Sequence, residues 1–414
     1  MQTLRSNSTI TLAMLGLMFF LVSAGTFSSL GVVLPAMVQE MGWSWTQAGL
    51  GYTFLGLSCG LASFAPVVLI RRIGVRETML AGTILLILGF SALALTHVVW
   101  IYLAAMLVIG VAFALTTTVP GTHVLTGLFK RQSLALGVYF TMGALGGVAG
   151  PIFYVLIEGP AHQWRTYWWC FSAASAVVGV LTAAVTGGRP EPGAVAGTPP
   201  EQKTPAELIE GLQDWSVRRA LATPQFYVIV GAYTMYLLVN TTAHGFAVAH
   251  LTERGVAPKL AAGMLSLEAL IGAATSVLGG LAGEKIKPKT LLLVALVALA
   301  IGMGALAVAH GMPMMLVYAA GVGIGFGLSF LASTMLLLNY FGRRANLELY
   351  SIMCLISTLA ALGPAFGGWA RDVLGSFSDV FLVCSAATLV MLVATIVMTP
   401  PVLRTATLRP ASAT

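Results

Sequence analysis

The chain has 414 residues, of which 58% are hydrophobic and only 35 are charged (21 Lys or Arg plus 14 Asp or Glu). A soluble protein of this length would carry about 100 charged residues, since about a quarter of its residues are Asp, Glu, Lys or Arg. The composition excludes a soluble, a disordered and a nucleic-acid-binding protein, despite a net charge of +7. We therefore expect an integral membrane protein, surrounded by lipid over most of its surface and without a nucleic-acid partner.

Charged residues and Pro/Gly clusters divide the sequence into twelve apolar runs. A helix needs about 20 apolar residues to cross the hydrocarbon core, and such helices satisfy their own backbone hydrogen bonds in lipid. The sequence therefore predicts an all-α membrane protein with twelve transmembrane helices. The predicted spans are 11–34, 47–69, 78–97, 100–126, 133–157, 166–188, 225–249, 260–283, 290–310, 314–338, 349–370 and 380–399.

The distribution of Lys and Arg predicts the orientation in the membrane. With a cytoplasmic N-terminus, 17 of the 21 basic residues fall in cytoplasmic segments, and only Arg165, Arg254, Lys259 and Arg371 fall outside. Cytoplasmic loops of membrane proteins carry an excess of Lys and Arg. We expect a multi-pass protein of the cell inner membrane with both termini in the cytoplasm.

Residues 189–224 form the one long interruption between apolar runs. Within them, Thr204, Pro205 and Glu207 are typical of a capping box with Pro at the first helical position, and an apolar stripe follows. The sequence predicts an N-terminal six-helix bundle at 1–188, a cytoplasmic linker with a short amphipathic helix at 189–224, and a C-terminal six-helix bundle at 225–414. A flexible linker is the alternative.

The two predicted bundles are copies of one unit. When the sequence is shifted by 213 residues, Gly110 falls on Gly323 and Gly150-Pro151 falls on Gly363-Pro364. A parallel repeat of this kind is typical of secondary transporters whose substrate binds between the halves, near the bilayer midplane. We therefore expect a monomeric transporter that moves a small-molecule substrate by alternating access.

Two loops resemble a family motif. The second-half loop has Gly280, then Glu284 and Lys285 four and five residues later, and further basic residues after them. This pattern is similar to the cytoplasmic loop motif of the major facilitator superfamily. The first-half copy has Arg where that motif has an acid. The resemblance implies this superfamily's fold and a cytoplasmic gating role for these residues. They are Arg71, Arg72, Gly74 and Arg76 in the first half and Gly280, Glu284 and Lys285 in the second.

A second motif resembles one branch of that superfamily. Residues Phe129–Gly137 (FKRQSLALG) are similar to the fifth-helix signature of monocarboxylate transporters and their oxalate/formate-exchanger relatives. The resemblance implies proton-coupled symport of a small organic acid. It also implies an Asp in the eighth helix and, four residues later, an Arg that receives the substrate carboxylate. Here Glu268 takes the place of the Asp and Gly272 that of the Arg.

Glu268 is the one charged residue placed well inside a predicted span. Its position is about 12 Å from the start of that span at about 1.5 Å per residue. An ionisable residue inside the membrane is energetically costly and therefore indicates function. We expect Glu268 to carry the coupled proton. A purely structural hydrogen bond and an ion pair with a cationic substrate are the alternatives.

Polar side chains on the spans that line the cavity in this superfamily are candidate substrate contacts. They are Thr26, Ser29, Thr118, Thr122, Asn240, Thr241, His244, Ser329, Ser333, Cys354 and Thr358. His244 is distinctive because His can both bind an anion and exchange a proton, and Asn240 shares its helix face. The alternative for each hydroxyl is a hydrogen bond to its own helix.

Other functional classes fit the sequence less well. Gly56–Gly60 matches G-x-S-x-G, yet it lies inside a span where no strand-to-helix elbow can form, so we expect no enzyme. The four cysteines lie in apolar runs without a CxxC pair, and we expect no metal site and no cofactor. A channel stays open as an alternative. Among transporters, so does export of a neutral or weakly cationic hydrophobic compound by proton antiport.

Overall fold

The computed structural model describes residues 2–129, 132–157, 164–186, 215–282 and 286–401. It contains twelve helices that are long and apolar enough to cross a bilayer, which confirms the predicted all-α architecture. We label them α1 (Ser8–Met41), α2 (Trp45–Ile73), α3 (Val75–Ala94), α4 (Val99–Leu125), α5 (Ala135–Ile157), α6 (Trp164–Val185), α7 (Pro224–Glu253), α8 (Pro258–Leu281), α9 (Pro288–Ala307), α10 (Met312–Gly342), α11 (Glu348–Leu374) and α12 (Ser378–Val397).

In two of these helices the backbone leaves helical φ/ψ values in the middle of the span. In α4 the backbone leaves helical geometry at Thr117, three residues before Pro120, whose ring nitrogen cannot donate the usual hydrogen bond. This agrees with the kink that the Pro120-Gly121 pair predicts. In α1 a similar break occurs at Thr26, where no proline announces it. The equivalent helices of the second half, α7 and α10, are continuous over these levels.

The duplication is visible in the packing of glycines. A Cβ atom added at Gly110 of α4 would overlap the carbonyl oxygen of Leu55 of α2. In the second half, a Cβ atom added at Gly323 of α10 would overlap the carbonyl oxygen of Glu268 of α8. Both residues of the first pair map onto the second pair under the same shift of 213 residues. Small residues therefore bring the same two helix backbones together in each half.

The helix ends nearest the α1–α2 loop, which we call the distal end, repeat a second contact with a change. In the first half, Arg165 at the start of α6 lies 3.5 Å from Nδ1 of His97. His310 is the equivalent of His97, but its partner is Arg254 at the end of α7, at 3.1 Å. The position equivalent to Arg165 is Ser378, which accepts a hydrogen bond from Arg254 at 2.7 Å. In each half an Arg therefore contacts the equivalent His, but the Arg comes from a different helix in each half.

Three pairs of helices make most of the contact between the two halves, α1 with α7, α2 with α11 and α5 with α8. The closest approaches lie between helix backbones. A Cβ atom added at Gly31 of α1 would overlap the carbonyl oxygen of His244 of α7. One added at Gly49 of α2 would overlap the carbonyl oxygen of Pro364 of α11. Close contacts of this kind join the halves over their distal portions.

Asp372, near the distal end of α11, adds a polar link between the halves. Its carboxylate accepts hydrogen bonds from the backbone N–H groups of Trp45 at 3.0 Å and Thr46 at 2.8 Å. These groups belong to the first turn of α2, where N–H groups lack partners within the helix. An acid at this position also interacts favourably with the helix dipole. Asp372 therefore caps a helix of the other half and holds the distal end closed.

Most of the predicted linker, including the capping box at 204–207, lies outside the described residues. The part that is described forms a short helix, Val217–Leu221, whose first turn is capped by the side chain of Ser216. Just before it, the ring of Trp215 packs on Phe341 at the end of α10, with 5.4 Å between ring centroids. The predicted domain boundaries remain predictions.

We predict that Gly110→Leu lowers the stability of the protein in detergent. The new side chain would have to displace the α2 backbone around Leu55, and overpacking of this kind costs about 1–3 kcal/mol. A melting curve of the purified protein measures the effect. Gly137→Leu is the control, because Gly137 is exposed on α5 and has no neighbouring atom that a Cβ would meet. Equal melting temperatures for the two variants would contradict the packing described for α2 and α4.

Candidate functional site

Glu268 is buried among three helices of the second half. Its side chain is 1% exposed. Oε2 accepts a hydrogen bond from the hydroxyl of Tyr318 on α10. Oε1 lies 3.5 Å from Nδ1 of His244 on α7. The acid that the sequence singles out therefore has one satisfied oxygen and one oxygen turned toward an imidazole.

His244 is fixed by its own helix. Its Nδ1 lies 3.0 Å from the carbonyl oxygen of Asn240. A carbonyl oxygen only accepts hydrogen bonds, so this contact places a proton on Nδ1. The same Nδ1 lies 3.5 Å from Oε1 of Glu268. A ring that already holds a proton on Nδ1 takes up a second one at Nε2, and the positive charge would then lie beside the carboxyl group.

The first half covers this pair. The hydroxyl of Tyr52 on α2 donates to the carbonyl oxygen of Phe27 on α1 and lies 3.3 Å from the carbonyl oxygen of His244. Gly31 of α1 touches the same carbonyl of His244. The Glu268–His244 pair therefore lies at the seam between the halves, beneath the closed distal end.

The three groups lie at similar depths. Counted from the distal ends of their helices, Tyr318, His244 and Glu268 are about 9 to 15 Å deep at about 1.5 Å per residue. These depths place the cluster in the distal part of the hydrocarbon region rather than at its edge. The helix periodicity that puts Asn240 and His244 on one face of α7 holds in the structure, because both take part in this cluster.

Asn240 has an unused hydrogen-bond acceptor. Its side-chain oxygen Oδ1 is buried and has no hydrogen-bond partner among the described residues. A buried polar group without a partner costs free energy, and the side chain as a whole is partly exposed. Asn240 is therefore oriented so that a ligand on the proximal side of His244 could supply the missing donor.

Four of the predicted hydroxyl contacts are committed to their own helices. Each donates to a carbonyl oxygen one turn earlier, and such bonds are common for Ser and Thr in membrane helices. The four are Thr26 to Val22 at 2.7 Å, Thr122 to Thr118 at 2.7 Å, Thr241 to Leu237 at 2.9 Å and Thr358 to Cys354 at 3.1 Å. Among the described residues, these four hydroxyls make no hydrogen bond with the Glu268 cluster. Their role in substrate binding remains a prediction.

The other predicted contacts are dispersed. The hydroxyl of Ser29 bonds the carbonyl oxygen of Ala24 inside the first half. Ser329 and Ser333 are fully buried on α10, and their hydroxyls have no partner among the described residues. Thr118 is exposed, and Cys354 is partly exposed. These residues do not form one site with Glu268.

Two tyrosines of the site were not predicted from the sequence. Tyr318 and Tyr52 are each about 1% exposed or less. A buried tyrosine hydroxyl usually finds a hydrogen-bond partner, so a tyrosine inside an apolar span is a usable signal. The sequence could not show which acceptor it would find, because Tyr318 follows Glu268 by 50 residues.

The position at which the family resemblance places an Arg is filled by a ring. Gly272 lies one turn proximal to Glu268 on α8, and a Cβ atom added there would meet the ring of Phe326 on α10. That ring also packs on Tyr236 of α7, with 5.7 Å between centroids. The surroundings of Gly272 are therefore aromatic rather than cationic.

The structure describes only some of the predicted gating residues. Arg71 and Arg72 are exposed at the end of α2, and Arg76 is exposed at the start of α3. Gly74 joins these helices with a φ of 99°, a value that favours glycine. Gly280 is exposed near the end of α8, whereas Glu284 and Lys285 lie outside the described residues. Their gating role remains a prediction.

The described residues contain no group of three or more His, Cys, Asp and Glu side chains that could hold a metal ion.

Comparison with protein families matches residues 15–353 to the Major Facilitator Superfamily. Among curated proteins, the uncharacterized transporter ESBP6 of Saccharomyces cerevisiae is 27% identical over 265 residues. That match covers 60% of this chain and 37% of the length of the yeast protein.

Solved structures show the same fold. The nucleoside transporter NupG, crystallised as a mutant, has a TM-score of 0.75 at 14% identity, covering 93% of this chain and 99% of that one. A POT family transporter in complex with 5-aminolevulinic acid has a TM-score of 0.72 at 13% identity, covering 94% and 96%. Tetrameric PepTSo2 has a TM-score of 0.68 at 15% identity, covering 94% and 97%. At these identities the likeness concerns the fold alone.

We predict that Asn240→Leu leaves the melting temperature unchanged or raises it, while it weakens substrate binding. The reason is that the buried Oδ1 has no partner to lose. Thr234→Val on the same helix is the contrasting variant, because it removes a hydrogen bond of 3.1 Å to Ser357 of α11. That loss should cost about 1 kcal/mol of stability without changing affinity. Melting curves and half-saturation concentrations measure both. A destabilised Asn240→Leu with normal affinity would make Asn240 a structural residue.

Proposed function

This chain belongs to the major facilitator superfamily, and we propose that it carries a small organic acid together with protons by alternating access. As a member of this family it is a membrane transporter and not an enzyme. The proposal concerns its substrate and its coupling ion. The observation that carries it is the buried Glu268–His244 pair at the seam between the two halves.

The pair is suited to hold a proton that must come and go. An ionised carboxylate in a low-dielectric interior is costly unless it is paired and hydrogen-bonded. Tyr318 supplies one hydrogen bond to Glu268, and His244 supplies either a neutral N–H or a positive charge on the other side. A bound proton therefore stabilises the Glu268–His244 pair while the pair is sealed from water. Release of the proton requires water to reach the seam.

Access to the pair depends on the contact between the halves. Gly31 and Tyr52 cover the turn of α7 that carries His244, and Asp372 closes the distal end beyond them. If the halves part there, the same pair becomes open to the distal side. The proton and the substrate would then be loaded in one conformation and released in the other, as the two-bundle arrangement permits.

The absence of basic groups from the helix interiors favours transport of the acid together with its proton. The Lys and Arg residues of the twelve membrane-spanning helices all lie in the first or last turn. A carboxylate that crossed without a fixed cation would be an unpaired charge, whereas a carboxylate and one proton cross without net charge. Asn240 and His244 would hold the carboxyl group through hydrogen bonds.

A second candidate function is favoured by the same acid. An intramembrane carboxylate without a fixed basic partner can also pair with a weakly cationic hydrophobic compound, which would then be exported in exchange for protons. The direction of accumulation separates the two candidates. Uptake of an organic acid down the proton gradient supports the first, and expulsion of a lipophilic amine against its own gradient supports the second.

We further propose that the chain is a monomer of the cell inner membrane with both termini in the cytoplasm. The imbalance of basic residues supports the orientation. Fusions to the C-terminus measure the orientation. A green fluorescent protein fused there should fluoresce, and an alkaline phosphatase fused there should be inactive. An active phosphatase would show that the C-terminus lies outside and would contradict the proposed orientation.

We predict that Glu268→Gln abolishes accumulation driven by a pH gradient but leaves counterflow exchange of the same substrate. Glutamine keeps the size of the side chain and its hydrogen bond with Tyr318, but it cannot bind and release a proton. Proteoliposomes with an imposed pH gradient, loaded with a panel of labelled carboxylates, measure both activities.

The matched control for this experiment is Glu348→Gln, the same change at an exposed acid at the start of α11. It should retain both accumulation and exchange. Accumulation by Glu268→Gln at the wild-type level would remove Glu268 from proton coupling. Loss of exchange as well as accumulation would assign Glu268 to substrate binding instead.

A further inference from the structure

We infer that the layer of aromatic side chains next to Glu268 selects aromatic carboxylic acids, with the ring of the substrate held by Phe113 and Phe326 and its carboxyl group turned toward Glu268 and His244. This inference rests on the proposed function, because it names the class of organic acid that the same site would take. It is carried by a layer of aromatic side chains one helical turn proximal to the buried acid.

The two phenylalanines are equivalent positions of the repeat. Phe113 of α4 maps onto Phe326 of α10 under the shift of 213 residues that relates the two halves. Each is partly exposed. Each is also backed by an aromatic residue of the neighbouring helix. Phe113 packs edge-on against Phe27 of α1, and Phe326 packs on Tyr236 of α7, with 5.7 Å between centroids in both pairs.

These rings lie at one depth. Phe27, Phe113, Asn240 and Phe326 are each 13 or 14 residues from the distal ends of their helices. At about 1.5 Å per residue this depth is about 20 Å for all four. Glu268 lies one turn closer to the distal end, and the ring of Phe326 covers Gly272, its neighbour by one turn on α8. The aromatic layer is therefore directly proximal to the Glu268–His244 pair.

The layer also lies at the seam between the halves. Gly31 of α1 touches His244 of α7. One turn proximal to that contact, α1 carries Phe27 and α7 carries Asn240. A ligand at this level would therefore meet a ring from the first half on one side and the unpartnered Oδ1 of Asn240 on the other.

The chemistry of the layer specifies the ligand. It offers ring faces and edges, one amide and, one turn away, a carboxyl and an imidazole, while basic side chains are confined to the helix ends. Aromatic pairs gain from edge-to-face and offset contacts beyond the burial of their area. A flat ring that carries a carboxyl group a few bonds away satisfies both parts. The carboxylate and one proton would cross together, so that the net charge moved is zero.

The test compares acids that differ only in their ring. Counterflow into proteoliposomes that contain the full chain would be measured for phenylacetate and for cyclohexylacetate, which is similar in size but not aromatic. Ring contacts of this kind predict a half-saturation concentration about three- to tenfold lower for phenylacetate. Equal half-saturation concentrations in the wild-type protein would overturn the inference, whatever the variants do.

Phe113→Leu and Phe326→Leu should each raise the half-saturation concentration for phenylacetate more than that for cyclohexylacetate, so that the preference for the aromatic acid falls. Phe366→Leu is the matched control, because Phe366 is exposed on α11 and packs on Trp369 away from the layer. It should keep the wild-type preference. An equal loss for both acids in the two variants would give these rings a structural role instead.

A third compound separates this inference from the proposed function. Phenylacetamide has the same ring but no ionisable acid. Transport of phenylacetamide with no transport of either acid would refute the proposed function and keep the aromatic site. Transport of both acids with no preference would keep the proposed function and refute the aromatic site. Transport of none of the three would overturn both.

Discussion

The contact on which the rest of this structure depends is that between the carboxyl group of Glu268 and the imidazole of His244. Both side chains are nearly withdrawn from solvent, and neither is balanced by a fixed cation in a helix interior. Charge in such surroundings is costly, which is why we propose that the protonation state of the pair changes when the seam above it opens. Tyr318 completes the hydrogen bonding of the carboxyl from within the second half. The first half contributes only a cover, made of Gly31 and Tyr52.

The duplicated unit explains why the cover can fit so closely. Glycines hold equivalent helices together in each half, and other glycines let the halves touch backbone to backbone. Within this shared frame the two copies have diverged. Leu55 stands where the second half has Glu268, and α1 is broken at Thr26, whereas α7 is continuous. The first half therefore has the interrupted helices, and the second half carries the ionisable pair.

The sequence predicted the twelve helices well because a membrane span is a local property of composition and length. Most predicted boundaries lie within a few residues of those observed; α1 extends further, to Met41. The kink near Pro120 could be read from the residue itself, whereas the break at Thr26 could not, since it has no proline to signal it. For the site, the isolation of Glu268 and the shared face of Asn240 and His244 pointed to the cluster.

What the sequence could not provide were the contacts between distant residues. The hydroxyl of Tyr318 meets Glu268 across 50 residues, and Tyr52 meets His244 across 192. The sequence also cannot show whether a threonine faces a cavity or donates a hydrogen bond to its own helix. The four predicted threonines that bond their own helices could therefore not be recognised in advance. The sequence likewise could not show that the ring of Phe326 lies over Gly272, where the family resemblance implies a charged side chain.

Asp372 has a consequence for how variants of this protein should be interpreted. It lies at the rim, away from the candidate site, where it caps the first turn of α2 and links the two halves at the distal end. Any residue that favours one conformation changes the fraction of molecules competent to bind, and apparent affinity scales with that fraction. A surface carboxylate at the rim can therefore adjust how strongly the transporter seems to hold its cargo, although the binding pocket itself is untouched.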